Sequence, residues 1–529
     1  VFCSIFLMSN RPIQSKDLNS DDDFNDTDEE NDANWNKSRI SNFLQSNINN
    51  NHLESIDSYV CGVCGADSDD ALSISSNASN KVKFMQHIEG PNIGPSSSEN
   101  WLTNEGEIPS KTDLLHKGHI NGGKLVVCMV GLPGRGKTYI SRKVARYLRW
   151  INYRTRAYSL ARYRIDLCGG KQTADFYDNT NEENVTLRLD LMNKAIHDML
   201  LYLNRGGECA ILDGTNFTRE RRAIIQERVS QEDGYEILWI ETISDDEEII
   251  KTYLEQLQDH SPDFLSAEDF NARVEYYRTK YETVEMLEGS FVKIYDAGQR
   301  LEIHAAQGFV PTKITSFLMN LHVNERPIYI SRHGESMFNI HGLIGGDPDL
   351  SPRGKLYAEA LREFCFKCED LPENALSVWS STMKRARNTA KGITCATYVE
   401  WRALREIEVG ICDGMTYDQV KEKFPEEYSA RERDKLNYRY PRGESYLDII
   451  NRLEPVIYEM ERQKGPLLII AHQAVLRCIY AYFLDLPNEE VPYLSIPLHT
   501  VIKLTPQALG CSEKRFGLTK PQPDGQKKM

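Results

Sequence analysis

An imidazole set directly after a short apolar run, with a guanidinium before it and a glycine behind it, suits the carriage of a phosphoryl group. The stretch PIYISRHGESMFN at 327–339 has that order. Ile328, Tyr329 and Ile330 read as a buried strand ending at Ser331, so Arg332, His333 and Gly334 stand at its carboxyl end. Val378–Ser381 reads as a second strand, ending in hydroxyls and followed by Lys384 and Arg385. Leu404, Arg405 and Glu406 put a carboxylate after another short apolar element, and Leu467–Ile470 is a buried strand with Ala471 and His472 at its end. In an α/β sheet these groups gather at the carboxyl edge, where ligands bind. Two strand-end histidines, two arginines and a carboxylate at one edge point to phosphoryl transfer through a phosphohistidine.

A second phosphate site lies upstream. Leu125–Val130 is a continuous apolar run of strand length, followed by Gly131, Leu132, Pro133, Gly134, Arg135, Gly136, Lys137 and Thr138, and then by a helical pattern from Tyr139 to Trp150. Strand, glycine-rich loop, Lys-Thr and helix form the setting a P-loop requires. Its backbone amides and helix N-terminus cradle phosphates, Lys137 reaches the β and γ oxygens, and Thr138 can ligate Mg²⁺. Another buried strand, Cys209–Leu212, ends at Asp213, which is placed for the metal shell or for taking a proton from an attacking hydroxyl. Thr215 follows, then Arg219, Arg221 and Arg222, which read as an anion-binding run rather than as surface charge.

The elements needed to position these groups alternate between strand and helix, with a further strand at Ile237–Glu241 and a long amphipathic helix at Lys355–Phe366. The expected fold is α/β throughout, in four segments. A disordered acidic leader at 1–110 precedes a P-loop domain with a mostly parallel sheet at 111–325; a second α/β domain at 326–511 carries the histidines, and 512–529 is a basic tail. The leader holds 18 Asp and Glu against 6 Lys and Arg, a net −12 of the chain's −15. Such a segment buries too little apolar area to offset its ordering entropy, although a patch at 82–88 could dock on the body. With only −3 left for 111–529, the folded part does not repel anionic substrates as a whole.

The 12 cysteines are scattered, many inside apolar runs, and read as reduced core thiols. The pairs Cys61/Cys64 and Cys365/Cys368 have no companion ligands nearby and make weak zinc sites. No apolar run approaches the roughly eighteen residues of a membrane span, and the opening VFCSIFLM lacks the basic flank of a signal peptide. A cytoplasmic protein with neither membrane nor nucleic-acid partners is expected.

The second half resembles the histidine phosphatase, or phosphoglycerate mutase-like, superfamily. Together with the P-loop half, it resembles the bifunctional 6-phosphofructo-2-kinase/fructose-2,6-bisphosphatase family. GLPGRGKTYI, DGTNFTRERR, RHGESMFN, REIEVGICDGMTY, RYPRGESY, AHQAVLRC and PLHTVIKLTP carry the resemblance, in the family's order. The resemblance implies Mg·ATP and fructose 6-phosphate as substrates of the first half, fructose 2,6-bisphosphate as substrate of a metal-free second half, and a homodimer. It implies that His333 is the nucleophile and Glu406 the acid that protonates the leaving sugar oxygen, with Arg332, Arg385 and His472 holding the phosphoryl group. Asn339, Gly345, Tyr417, Arg431, Lys435, Tyr446, Gln473 and Arg477 would bind the rest of fructose 2,6-bisphosphate. In the kinase half, Lys137 and Asp213 are the implied catalytic groups, and Gly131 to Tyr139 form the ATP loop. Arg164, Arg188, Thr215, Arg221, Arg273 and Tyr277 are implied for fructose 6-phosphate. Three positions depart from the family pattern: Gly134 stands for a usual Ala, Ser244 for a frequent Cys, and Gln258 for a usual substrate-pocket Lys. Loss of one charge-assisted hydrogen bond costs about 1.5–3 kcal/mol, so Gln258 leaves open a weakened kinase beside an intact phosphatase. A nucleotide-sensing scaffold is the reading of another class.

Overall fold

The apolar run at 125–130 becomes the central strand of a sheet because it is covered on both faces, and every residue from Leu125 to Val130 is buried. The computed structural model describes residues 123–518, apart from Lys171 and residues 261–263, 323–324 and 508–509. The acidic leader, the patch at 82–88 and residues 519–529 lie outside the described residues.

The first half runs β1 (Lys124–Val130), α1 (Lys137–Trp150), β2 (Thr155–Ser159), α2 (Leu160–Cys168), α3 (Glu182–Asn204), β3 (Cys209–Asp213), α4 (Arg219–Ser230) and β4 (Tyr235–Ile243). It continues with α5 (Glu247–His260), α6 (Ala267–Arg278), β5 (Ser290–Tyr295), β6 (Arg300–His304) and α7 (Phe309–Leu318). Its sheet has the order β2-β3-β1-β4-β5-β6, parallel except for β6, which closes antiparallel on β5. Since β1 and β3 are parallel neighbours, their carboxyl ends bring the phosphate loop and Asp213 to the same edge.

The second half runs β7 (Ile328–Arg332), α8 (Met337–His341), α9 (Pro352–Lys367), β8 (Ser377–Ser381), α10 (Lys384–Ala390), β9 (Thr397–Trp401), α11 (Tyr417–Lys423) and α12 (Pro425–Arg433). It ends with α13 (Tyr446–Arg462), β10 (Leu467–Ala471), α14 (Gln473–Leu484), β11 (Thr500–Gln507) and β12 (Gly510–Gly517). The sheet order is β12-β11-β7-β10-β8-β9, with β7, β10, β8 and β9 parallel. Arg332 pairs with Ala471 and Ser380 with Ile470, so His333, Ser381 and His472 emerge side by side at one edge.

Glu406 follows the 3₁₀ turn at Arg402–Leu404, which comes directly after β9. The basic tail does not begin at Ser512, because Gly510–Gly517 forms the edge strand β12 against β11. Its Glu513, Lys514 and Arg515 are edge-strand charges of the kind that discourages further strand pairing, while Phe516 packs on Phe364 with ring centroids 5.1 Å apart.

The two halves share one apolar core that runs from β1 and α1 into α13 and α14. Removing each large aliphatic side chain from water contributes about 1.5–3 kcal/mol. Polar groups lock the same seam. Glu461 is fully buried and accepts from Lys143 Nζ at 2.9 Å and Arg146 at 2.9 Å, with Arg326 at 3.4 Å. Trp150 Nε1 donates to the Cys478 carbonyl at 2.9 Å, and Arg149 pairs with Asp485 at 2.5 Å. The helix that starts at the phosphate loop is thereby fixed to the helix that starts beside His472.

Candidate active sites

In the first half, Gly131 has φ 139°, and a Cβ placed there would lie 2.5 Å from the Thr242 carbonyl oxygen. Glycine is required for the loop to pass so close to β4. The Gly131 amide donates to the Thr215 carbonyl at 3.0 Å, tying the loop to the turn after β3. Lys137 is buried, and its Nζ donates to the Leu132 carbonyl at 2.6 Å, so the ammonium lies folded back over the loop. Burial lowers its pKa to about 8, opposed by the charge of Asp213. Thr138 Oγ1 donates to Asp213 Oδ2 at 2.9 Å. Burial raises the Asp213 carboxyl, while Thr138 and the Lys137 charge pull it back. Two adjacent oxygen donors at a phosphate loop are the ligand set a hard divalent cation takes.

Not every loop residue turns inward. Arg135 donates through Nε to the Ser244 carbonyl at 2.6 Å, and Ser244 Oγ donates to Asp296 at 3.0 Å, so both brace the end of β4. Tyr139 points its hydroxyl at the His322 carbonyl, 2.8 Å away at the seam between the halves. Gln258 is exposed near the end of α5.

The arginines expected for a sugar phosphate converge on an aromatic cluster of Phe176, Tyr177, Phe217 and Tyr277. Arg273 lies 5.0 Å and Arg164 5.8 Å from the Tyr177 ring, and Arg221 lies 5.9 Å from Phe217. Arg273 is oriented by Asp269 at 2.7 Å and the Gln172 carbonyl at 2.6 Å. Arg188 joins from α3 through Asn179 at 3.1 Å. Among the described residues, Arg188 Nη1 and Arg221 Nε are buried without a hydrogen-bond partner, which leaves donors available to an anion. The neighbouring arginines behave differently. Arg222 is fully buried but clamps α4 to the 282–288 segment through Glu288, at 2.5 and 2.9 Å, and the Glu282 carbonyl at 2.8 Å. Arg219 pairs with Glu285 at the surface. The anion-binding reading of this run therefore narrows to Arg221.

In the second half, Gly334 packs so closely on Gly354 that a Cβ would fall 2.5 Å from its carbonyl oxygen. His333 Nδ1 lies 2.7 Å from the Gly334 carbonyl, an acceptor, so Nδ1 carries the proton and Nε2 presents its lone pair. Arg385 Nε lies 3.1 Å from that Nε2. Burial, and then the Arg385 charge, hold the His333 pKa well below the ordinary range, so it is neutral at pH 7. The His472 ring lies 5.0 Å from the His333 ring, and its Nε2 meets Ser381 Oγ at 2.9 Å. Arg332 donates to the Ile496 carbonyl at 3.0 Å, and burial lowers its pKa to about 10. Glu406 Oε1 accepts from the Ile407 amide at 3.1 Å and the Ala474 amide at 3.2 Å, at the start of α14.

Arg477 donates to Tyr446 at 2.9 Å and to the Leu494 carbonyl at 2.6 Å, and Gln473 opens α14 after His472. Arg431 donates to Tyr417 at 3.1 Å and Tyr440 at 2.8 Å, while Lys435 lies over Tyr493 at 5.2 Å. Asn339 closes a capping box with Ser336, which occupies its side-chain oxygen at 2.9 Å. Gly345 has φ 77° against Asp413, whose Oδ1 accepts the Gly346 amide at 2.6 Å.

Comparison with known proteins joins the two sites. The family model described as 6-phosphofructo-2-kinase matches residues 113–325, and that of the histidine phosphatase superfamily, branch 1, matches 328–519. A 6-phosphofructo-2-kinase/fructose-2,6-bisphosphatase of Gallus gallus is 46% identical over 396 residues, covering 73% of this chain and 83% of its own. The chain belongs to this bifunctional family. A similarly named protein of Homo sapiens is 43% identical over the same shares. One of Arabidopsis thaliana is 44% identical across 74% of this chain, which spans about half, 54%, of that relative's length.

Some site groups of this family member escape sequence reasoning. Tyr177, Phe217, Tyr440 and Tyr493, which lie against expected site residues, are aromatic, with nothing in their spacing to mark them. Ser381 is visible as a strand-end hydroxyl, but its partner His472 is 91 residues away. Thr389, one turn into α10 from Arg385, accepts the Gly334 amide at 2.9 Å and so positions the loop beside His333. Among the described residues, no helix is long and apolar enough to cross a membrane.

Proposed function

We propose that the chain both makes and hydrolyses fructose 2,6-bisphosphate, by ATP-dependent phosphorylation of fructose 6-phosphate at O2 and by phosphohistidine-mediated removal of the same phosphate. The observation that carries the hydrolytic half is the unprotonated Nε2 of neutral His333, which accepts from Arg385 Nε at 3.1 Å at a sheet edge shared with Arg332, His472 and Glu406. Nε2 attacks the 2-phosphorus, the P–O2 bond breaks, and Glu406 gives its proton to the departing sugar oxygen. Arg332, Arg385 and His472 balance charge on the equatorial oxygens, which makes a metal unnecessary for this step. Glu406, now a carboxylate, takes a proton from the water that cleaves the N–P bond. Fructose 6-phosphate and inorganic phosphate are released, and His333 is restored. The Arg477/Tyr446 and Arg431/Tyr417/Lys435 groups bind the remaining sugar phosphate.

In the kinase half, Lys137 neutralises the β and γ oxygens of ATP, and Arg164, Arg188, Arg221 and Arg273 hold fructose 6-phosphate beside Tyr277 and Thr215. Thr138 and Asp213 would hold Mg²⁺, which on binding screens the transferring phosphates. Family membership supports a homodimer, and a cytoplasmic location goes with these substrates.

The hydrolytic reading is tested by mixing the protein with fructose 2,6-bisphosphate labelled at the 2-phosphate and quenching in alkali. Label is expected on His333 and absent from His333→Ala. Phosphate release without a labelled histidine would overturn the mechanism.

A further inference from the structure

Ser381 and His472 are both completely buried, and their side chains meet at 2.9 Å beyond the adjoining ends of β8 and β10. The direction of that hydrogen bond decides what His472 shows to the phosphoryl group. Ser381 Oγ already accepts the Met383 amide at 3.3 Å. If Ser381 also accepted from His472 Nε2, its own proton would be buried with no acceptor among the described residues, and His472 Nδ1 would be a bare lone pair. Donation from Ser381 to Nε2 instead satisfies the hydroxyl and moves the imidazole proton to Nδ1. Nδ1 is itself buried without a partner among the described residues, on a ring 5.0 Å from that of His333. A buried donor left open beside the nucleophile is placed for an acceptor that arrives with the substrate.

We propose that Ser381 is a positioning residue that fixes His472 as the Nδ1-protonated tautomer, so that a neutral N–H faces the oxygens of the transferred phosphoryl group. No bond at His472 is made or broken; Nδ1–H donates to a non-bridging oxygen while His333 Nε2 gains and loses phosphorus. The assignment rests on the hydrolytic reading above and adds to it the state of the second histidine. Burial, and then the charge of Arg385, hold the His472 pKa well below the ordinary range, in keeping with a neutral ring.

The test compares Ser381→Thr with Ser381→Val in the full-length chain. Each adds the same methyl group, so any crowding is shared and only the hydroxyl differs. With ¹⁵N-labelled histidine, and with the His472 signals assigned by their loss in His472→Asn, the unsubstituted protein and Ser381→Thr are expected to show the proton on Nδ1 and a bare Nε2. Single-turnover transfer from fructose 2,6-bisphosphate to His333 is expected to slow about tenfold in Ser381→Val relative to Ser381→Thr, the worth of one hydrogen bond to a charged group. A proton on His472 Nε2 in the unsubstituted protein would overturn the proposal, as would equal transfer rates in the two variants. If Ser381→Val fails to fold, the tautomer in the unsubstituted protein still decides. Failure of the underlying reading has a different signature, the absence of any phosphohistidine in the unsubstituted protein.

Discussion

Arg385 Nε stands 3.1 Å from His333 Nε2, and neither side chain is open to solvent. The pair sets a fixed positive charge beside an uncharged imidazole, the group proposed to carry the phosphoryl. Arg385 comes from the start of α10 and His333 from the end of β7. Their meeting depends on β8 reaching the same sheet edge, and the Arg385 donation to the Gly346 carbonyl at 2.8 Å fixes the guanidinium in that direction.

Keeping two imidazoles neutral in this pocket makes the fold sensitive to acid. His333 and His472 both have folded-state pKa values below the ordinary histidine value. Below about pH 6.5 the unfolded chain therefore binds protons that the native state refuses. Stability is fully present above that pH and falls as the pH drops toward the folded-state values, by up to about 1.4 kcal/mol per pH unit for each histidine. The urea midpoint of the second half is expected to fall between pH 7.5 and 5.5, and to fall less in His472→Asn. Equal falls would show that His472 takes up its proton without opposing folding.

Arg221 and Arg222 are neighbours in sequence with opposite expected phenotypes. Arg221→Ala removes a donor that no group among the described residues uses, and should raise KM for fructose 6-phosphate about ten- to a hundredfold with little change in melting temperature. Arg222→Ala opens the clamp on Glu288 and leaves that carboxylate without its partner, so it should lower the melting temperature of the kinase half. Kinetics and thermal melts on the two variants separate the roles.

What could be read in the sequence follows a physical division. Leu125–Val130 and Leu467–Ile470 declare themselves because a parallel strand buried on both faces has no polar positions. His333 and His472 are legible because they follow such strands directly. Glu406 is harder, since a 3₁₀ turn stands between it and β9. Arg222 differs from Arg221 only through a partner 66 residues away. The seam between the halves is hidden for a related reason. Lys143 and Arg146 look like the solvent face of an amphipathic helix until Glu461, more than 300 residues later, covers them. The strand β12 was masked by its charges, which suit an edge.

That seam carries the next expectation. Glu461 lies between Lys143, Arg146 and Arg326, and although burial pushes its carboxyl up, these cations hold it well below the usual range. Glu461→Gln leaves three buried cations short of their counter-charge, at a cost of about 3–5 kcal/mol. Because α1 also bears the phosphate loop, calorimetry should show both halves melting earlier. A shift confined to the second half would show that the seam does not couple them.

Whether one chain carries both opposed reactions is decided by incubating His333→Ala protein, in which the proposed nucleophile is absent and product should persist, with Mg·ATP and a wide range of fructose 6-phosphate while measuring fructose 2,6-bisphosphate. Product is expected despite the exposed Gln258 on α5, and is expected to vanish when Lys137→Ala is added to the same chain. No product at any fructose 6-phosphate concentration, alongside phosphate release from fructose 2,6-bisphosphate by the unsubstituted protein, would contradict the account and leave a one-directional phosphatase.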